Sequence, residues 1–248
     1  MKHRELEDYT GRLLEVDRFR DYCPNGMQVE GARDIEKIAT GVTASLAFLE
    51  KARDFGADAV FVHHGYFWKG SDPRITGMAR KRIALLLESG MSLFAYHLPL
   101  DAHPEFGNNA RLARVLGFSV QGRFGEQNIA MIGELERPMT LEEFGEAASV
   151  KLSRAPLLVG DGKKILRTIS WCSGAAQGML LEAANLGADA FLSGEISEHT
   201  VHEALESGIA YISAGHHATE RYGISALGEH LSETFGFRHE FIDCDIPV

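Results

Sequence analysis

The chain repeats itself, and this limits its possible folds more than any other feature. Gly56-Ala57-Asp58-Ala59 recurs 131 residues later as Gly187-Ala188-Asp189-Ala190. Each copy follows an apolar helical pattern and leads into an apolar strand. Glu88-Ser89-Gly90 recurs as Glu206-Ser207-Gly208 at an offset of 118, and Gly117-Phe118 as Gly236-Phe237 at 119. The offset of 119 also brings His97 and Asp101 opposite His216 and Glu220. The fall from 131 to 119 puts a longer loop in the first half, and residues 66–77, rich in Gly and Pro, are the natural place for it. The repeat predicts two related α/β halves, 1–125 and 126–248, packed around a pseudo-twofold axis. No linker is long enough to make them independent, so they are expected to interlock.

Hydrophobic periodicity supplies the elements. Strands are expected over 35–43, 57–63, 92–96, 129–135, 168–172, 190–192, 210–213 and 239–242. Helices are expected over 2–16, 45–55, 78–88, 108–116, 141–150, 175–186, 197–206 and 219–234, with a less regular middle after 117. Strands alternating with helices predict an α/β protein, layered α/β/α, with largely parallel pairing.

No apolar run approaches the ~18 residues of a membrane span. The first ten residues, MKHRELEDYT, contain no apolar signal segment, which predicts a cytoplasmic protein. Cys23, Cys172 and Cys244 are isolated and odd in number, so buried inert thiols are expected rather than a disulfide framework or a zinc ribbon. The formal net charge is −10. Proteins that bind duplexes in general carry basic patches, and here the Lys/Arg groups are short. Arg80-Lys81-Arg82 is one, expected on a solvated helix face. General nucleic-acid binding is therefore not expected, which still leaves room for a local basic pocket for one nucleotide.

His63-His64 closes an apolar strand just before Gly65. Neighbouring strand residues point to opposite faces, but at a strand exit both rings can turn to one cleft, and α/β proteins place ligands at that edge. The pair is either a metal site or one packed and one exposed histidine. His216 and Glu220, four apart, share a helical face; Glu220 is either a ligand or an acid favoured by the helix N-terminus. Asp101 follows a strand exit and is either a ligand or a turn residue between Pro99 and Pro104. Together, three histidines and two carboxylates suit Zn, Fe, Mn, Co or Ni better than Mg or Ca. Five ligands exceed the usual set of one catalytic zinc and point to two divalent metal ions. His97 is expected either to orient a ligand from behind or to be an additional ligand, and His217 to orient a ligand. The stretch 172–178 could admit a phosphate to a helix N-terminus or simply pack tightly, and His199 and His202 could face the cleft or solvent. No Ser-His-Asp elbow and no cysteine nucleophile is visible, so the catalytic side chain stays unassigned and a metal-bound water is the expected nucleophile.

Five motifs resemble one family. They are Tyr22-Cys-Pro-Asn-Gly-Met-Gln-Val-Glu-Gly31, Thr40-Gly-Val-Thr-Ala-Ser45, Val62-His-His-Gly-Tyr-Phe-Trp-Lys-Gly70, Tyr96-His-Leu-Pro-Leu-Asp-Ala-His-Pro104 and Ala214-Gly-His-His-Ala-Thr-Glu-Arg221. They look like the Nif-three-like family, the GTP cyclohydrolase I type 2 homologues, across nearly the whole chain. Cys23 and Met27 depart from the pattern, where a small apolar residue and Leu are expected. The resemblance implies a dinuclear metal protein that assembles as a ring-shaped homohexamer, with His63, His64, Asp101, His216 and Glu220 as ligands. It implies a hydrolase acting on a nucleotide or related small molecule through a metal-bound hydroxide. Attack on C8 of a purine with release of formate is chemically coherent, as is hydrolysis of a phosphate ester or an amide. A non-catalytic metal-binding scaffold or a metal-handling protein is the alternative. Aromatic and amide groups lining the cleft would favour a base, and Arg or Lys a phosphate.

Overall fold

The computed structural model describes residues 1–244 and 246–248. They form two compact units: Met1–Phe106 with the stretch that begins at Gly223, and Gly107–Tyr222 with Ile246–Val248. The first unit opens with α1 (His3–Leu13), β1 (Gly26–Val29), β2 (Lys37–Thr43), α2 (Leu46–Phe55), β3 (Ala59–His64), α3 (Gly77–Ser89), β4 (Ser92–Ala95) and the short α4 (Leu98–Ala102). The second runs through α5 (Asn108–Leu116), β5 (Phe118–Phe124), β6 (Ala130–Thr140), α6 (Leu141–Leu152), β7 (Leu157–Val159), β8 (Ile165–Trp171), α7 (Leu180–Asn185), β9 (Ala190–Ser193), α8 (Glu198–Ser207) and β10 (Ala210–Ser213). Helix α9 (His216–Phe235) begins in the second unit and ends in the first, which β11 (Arg238–Phe241) completes. No helix among the described residues is long and apolar enough to cross a membrane.

Each unit holds one sheet, ordered β1-β4-β3-β2-β11 in the first and β5-β6-β8-β9-β10-β7 in the second. The repeat is now explicit. It is a parallel β-α-β-α-β core, β2-α2-β3-α3-β4 in one unit and β8-α7-β9-α8-β10 in the other. An antiparallel strand flanks the last parallel strand in each, β1 on β4 and β7 on β10. On the other flank the copies differ: β11 joins β2 in parallel, while β6 and β5 add antiparallel strands beyond β8. Both sheets are therefore mixed: pairing is largely parallel in the first, as expected, and mostly antiparallel in the second.

The units are not cut at 125/126. Residues 108–124 lie in the first sequence half, yet β5 pairs with β6 in the second sheet, and β11 returns to the first. The less regular middle hides β5, whose central residues are exposed and so lack an apolar signature. Three other short elements, β1, β7 and α4, also escape the sequence pattern. The helix expected over 175–186 is shorter: α7 starts at Leu180 after a 3₁₀ turn at Gln177–Met179. The extra loop is where the offsets place it, with 65–76 joining β3 to α3 while only 194–197 join β9 to α8.

In the first unit the sheet is packed on both faces. Ile38, Phe61 and Phe94 face Leu6 of α1 and Leu227 of α9, whereas Val60, Val62 and Leu93 face Phe48 of α2 and Leu86 of α3. This period of two, buried on both sides, explains the near-continuous apolar run of β3. In the second unit Trp171, Leu192 and Ile212 pack with Leu112 of α5 and Phe144 of α6, and α7 and α8 pack on β9 and β10.

The repeated Gly-Ala-Asp is structural. Gly56 and Gly187 follow α2 and α7 at φ +79° and +81°, a left-handed conformation that favours glycine. The next alanine amide closes back on the helix: Ala57 donates to the Ala52 carbonyl (3.0 Å) and Ala188 to that of Ala183 (3.2 Å). The aspartate then ties three strands together. Asp58 Oδ2 accepts the amides of Glu36 and Lys37 (3.1 and 3.0 Å), and Asp189 Oδ2 those of Arg167 and Thr168 (2.8 and 3.0 Å). Their carbonyls accept the amides of Ser92 and Ala210 (2.9 and 3.0 Å). A charge-assisted bond to backbone is worth more than a neutral one, so Asp58→Ala or Asp189→Ala should each cost about 2 kcal/mol. Urea denaturation should show each midpoint falling, with Asn in place of Ala recovering part; an unchanged midpoint would show that these carboxylates do not set the register.

Candidate metal centre

In the first unit the C-terminal ends of β3 and β4 bring three histidines together. His63 is fully buried, and its Nδ1 lies 2.9 Å from the Tyr96 carbonyl. A carbonyl only accepts, so Nδ1 carries a proton, and Nε2 is the nitrogen left to face Asp101. Nε2 lies 3.4 Å from Asp101 Oδ1, and Asp101 is 5% exposed. Asp101 sits on α4, its amide donated to the His97 carbonyl (3.1 Å). His64 is half-buried, with Nδ1 3.1 Å from Thr43 Oγ1 on the paired strand. Its ring centroid is 4.5 Å from that of His63, and the His97 ring is 5.0 Å from His63. The pair is thus not one packed and one exposed residue; both belong to one cluster with His97, each offering a ligand nitrogen within 4.8 Å of the others.

Asp21, which sequence reasoning did not single out, orients His97. Its Oδ1 lies 2.7 Å from His97 Nδ1, and its Oδ2 accepts the Leu98 amide (2.9 Å) and the Asn25 side chain (2.9 Å). Asn25 Oδ1 accepts the His97 amide (2.7 Å). Burial pushes the Asp21 carboxyl up, but the bond and charge of His97, with Asn25 and the Leu98 amide, outweigh it and hold it at about 2. The signal available in the sequence was the motif at 22–31, which contains Asn25 and adjoins Asp21.

The second unit builds its own group at the first turn of α9. His216 Nδ1 lies 2.6 Å from Glu195 Oε1, and Nε2 lies 3.1 Å from Glu220 Oε2. Glu220 is 3% exposed. Glu195 was also missed; it follows β9 in the short connection to α8. Burial pulls the His216 imidazole down, yet the bonds and charges of Glu220 and Glu195 prevail and raise it to about 9. Gly174, at φ +65°, leaves room for this pair, because a Cβ there would collide with Glu220 Oε1 and crowd His216 Nε2.

His97 and His216 are equivalent in the repeat, and each presents Nδ1 to a carboxylate, Asp21 or Glu195. A carboxylate behind an imidazole fixes its tautomer and raises its basicity as a ligand. Imidazole and carboxylate donors held this way suit a divalent transition metal. Asp101 and Glu220, also equivalent, differ in partner: Asp101 lies beside His63, and Glu220 beside His216 itself.

Other sequence candidates fall outside these groups. His217 is half-buried, its amide donated to the Val248 carbonyl (3.2 Å). His199 and His202 are exposed on α8, with His202 bonded to Glu198 (2.9 Å). In the stretch 172–178 the amides of Ser173, Gly174 and Ala176 donate to Asn109, Thr219 and Ser193, so tight packing is the outcome and no phosphate cradle is left. Cys23 and Cys172 are buried, and burial with the nearby Asp21 charge pushes the Cys23 thiol up to about 12. Cys244 is half-buried, not buried as expected.

With mixed sheets flanked by helices and these two groups, the chain belongs to the Duf34/NIF3 (NGG1p interacting factor 3) family, whose model matches residues 1–246. It is 51% identical to the GTP cyclohydrolase 1 type 2 homolog of Pseudomonas aeruginosa, over 98% of this chain and 97% of that one. Among solved structures it is similar to the protein ybgI, of unknown function (TM-score 0.97, 47% identity, all of both chains). It is also similar to TTHA1606 of Thermus thermophilus (TM-score 0.90, 33% identity, all of both chains).

Because His216 is raised above its ordinary 6.5, its protonation stabilises the metal-free fold fully below about pH 6.5. That contribution fades as pH rises through about 9. Imidazole NMR on metal-free protein should place the His216 midpoint near 9, and Glu195→Gln should lower it. A wild-type midpoint at or below the ordinary histidine value would show that the two carboxylates do not clamp the ring.

Proposed function

We propose that the protein is a divalent-metal-dependent hydrolase acting on a nucleotide or a related small molecule. His63, His64 and Asp101 of the first unit and His216 and Glu220 of the second would hold two ions per chain. The observation that carries this reading is the buried His63, whose Nδ1 is committed to the Tyr96 carbonyl so that Nε2 is the nitrogen turned toward Asp101. Burying an imidazole and a carboxylate side by side is costly unless polar partners compensate, and a bound cation is one such partner. The family, and the name of the Pseudomonas relative, support the cyclohydrolase-like direction.

When bound, divalent ions supply Lewis acidity that activates water near neutral pH. The protein's own residues set the stage for it. Glu195 and the Tyr96 carbonyl hold the Nδ1 protons of His216 and His63, leaving each Nε2 for a ligand bond. Asp21 keeps the His97 imidazole oriented beside His63. His97 and His217 are not required as ligands in this reading.

Asp101→Ala and Glu220→Ala should each lower metal content by elemental analysis and abolish hydrolysis of nucleotides, with far-UV circular dichroism unchanged. Either variant keeping full occupancy would remove that residue from the ligand set. Activity should vanish with chelator and return with Zn, Mn or Fe(II). A substrate screen that stays blank with fully metallated protein would instead favour a scaffold or metal-handling role.

We also propose a cytoplasmic homohexamer, on the family resemblance. Light scattering should give about six times the 27.3 kDa chain mass; a monomer at micromolar concentration would overturn it.

A further inference from the structure

The loop that breaks the repeat borders, with the start of α3, an open-mouthed cavity of about 340 Å³ in the first unit. Its volume lies at the lower end of small-molecule sites, ~300–1,000 Å³. Tyr66, Phe67 and Trp68 supply aromatic surface, and Arg74 and Arg82 supply cations. Arg74 is neutralised by Asp72, whose Oδ2 accepts its Nε and Nη2 at 3.0 and 2.6 Å. Arg82 is different. It sits half-buried on α3, its Nε is buried without a hydrogen-bond partner, and no carboxylate pairs with it among the described residues. The neighbouring Arg80 and Lys81 are exposed, as expected of a solvated face; Arg82 is not.

The aromatic wall is fixed in place. The Tyr66 hydroxyl donates to the Ala44 carbonyl (2.8 Å), and Gln28 grips the Tyr66 backbone from both sides, accepting its amide (2.6 Å) and donating to its carbonyl (3.2 Å). Trp68 Nε1 donates to the Gly65 carbonyl (3.2 Å). Phe67 is held at φ +62°, a left-handed conformation strained for a bulky residue, while 44% exposed. Little burial compensates that strain. Trp68 also packs on the histidine cluster, its ring centroid 4.9 Å from His97 and 6.0 Å from His64. A molecule against this wall is therefore one side chain away from the candidate ligands.

We propose that this cavity seats the substrate: a planar ring compound carrying one anionic group, of the kind represented by a purine nucleoside monophosphate. The ring would lie on the Tyr66–Trp68 wall and the anion on the Arg82 guanidinium, which has donors to spare for an oxyanion. The role as substrate seat rests on the metal-dependent reading above, whereas the pocket itself does not need the metal.

The test is calorimetric titration of chelator-treated full-length protein with GMP, guanosine and inorganic phosphate. GMP should bind, guanosine at least about tenfold more weakly, and phosphate alone without measurable heat, as expected for one charge-assisted contact added to a stacked ring. Arg82→Gln should weaken GMP at least about tenfold and leave guanosine unchanged, with Arg82→Lys in between; Trp68→Leu should weaken both. No heat from GMP, or full GMP affinity in a folded Arg82→Gln protein, overturns the proposal. Metal content is measured on the same preparations before chelation. Loss of GMP binding with ligands intact thus fails the pocket alone, and normal GMP binding with no metal uptake fails the hydrolase reading alone.

Discussion

The Gly-Ala-Asp junction sets the register on which the rest depends. Asp58 donates its amide to the Lys37 carbonyl (2.8 Å), accepts two amides from the start of β2 on its side chain, and accepts the Ser92 amide on its carbonyl. Three parallel strands are thereby pinned at their N-terminal ends. Strands of similar length that start level also finish level, so Thr43, His64 and Tyr96 emerge at one edge of the sheet. A one-residue slip of β3 would turn His63 from the α1 side to the α2 side and dismantle the cluster. Asp189 repeats the same pinning on β8, β9 and β10, where Ser193 and Ser213 end level just before Gly194 and His216. The most conspicuous repeated motif is thus remote from the chemistry and still decides where the chemistry is.

What the duplication repeats at the functional edge is an imidazole backed by a carboxylate. The backing residue comes from a different place each time: Asp21 lies ahead of β1, and Glu195 follows β9. The repeat preserved the position of the histidine, while the carboxylate was supplied by whichever loop passed behind it. In the second unit a proton and a cation would compete for the same His216 Nε2, since Glu220 favours either.

Much of this was legible in the sequence. The α/β class followed from alternating periods, and α2, α5, α8 and β10 lie within a residue or so of where the pattern put them. His63, His64 and Asp101 share one unit's cluster, and His216 and Glu220 the other's. What escaped was of two kinds. Strands β1, β5 and β7 are short or exposed, and their formation is decided by a neighbour's free edge rather than by their own pattern. Asp21 and Glu195 reach their histidines from 76 and 21 residues away, and no local spacing marks an acid that bonds a histidine at such separations. Arg82 was hidden by its company, two exposed basic neighbours that made the group read as surface.

The chain has two tryptophans, and the fold has divided them. Trp171 is sealed in the core of the second unit, its indole N–H donated to the Asn109 carbonyl at 3.0 Å. Trp68 is half-buried in the first, edge-on to His97. The two indoles thus sit in unlike surroundings, one dry and rigid, the other against a histidine ring. Ultraviolet emission from this protein is in effect two separate optical channels. Unfolding of the second unit reads out as a red shift from Trp171, while quenching of Trp68 follows its contact with the neighbouring imidazole, and replacing either tryptophan isolates the other without adding a dye.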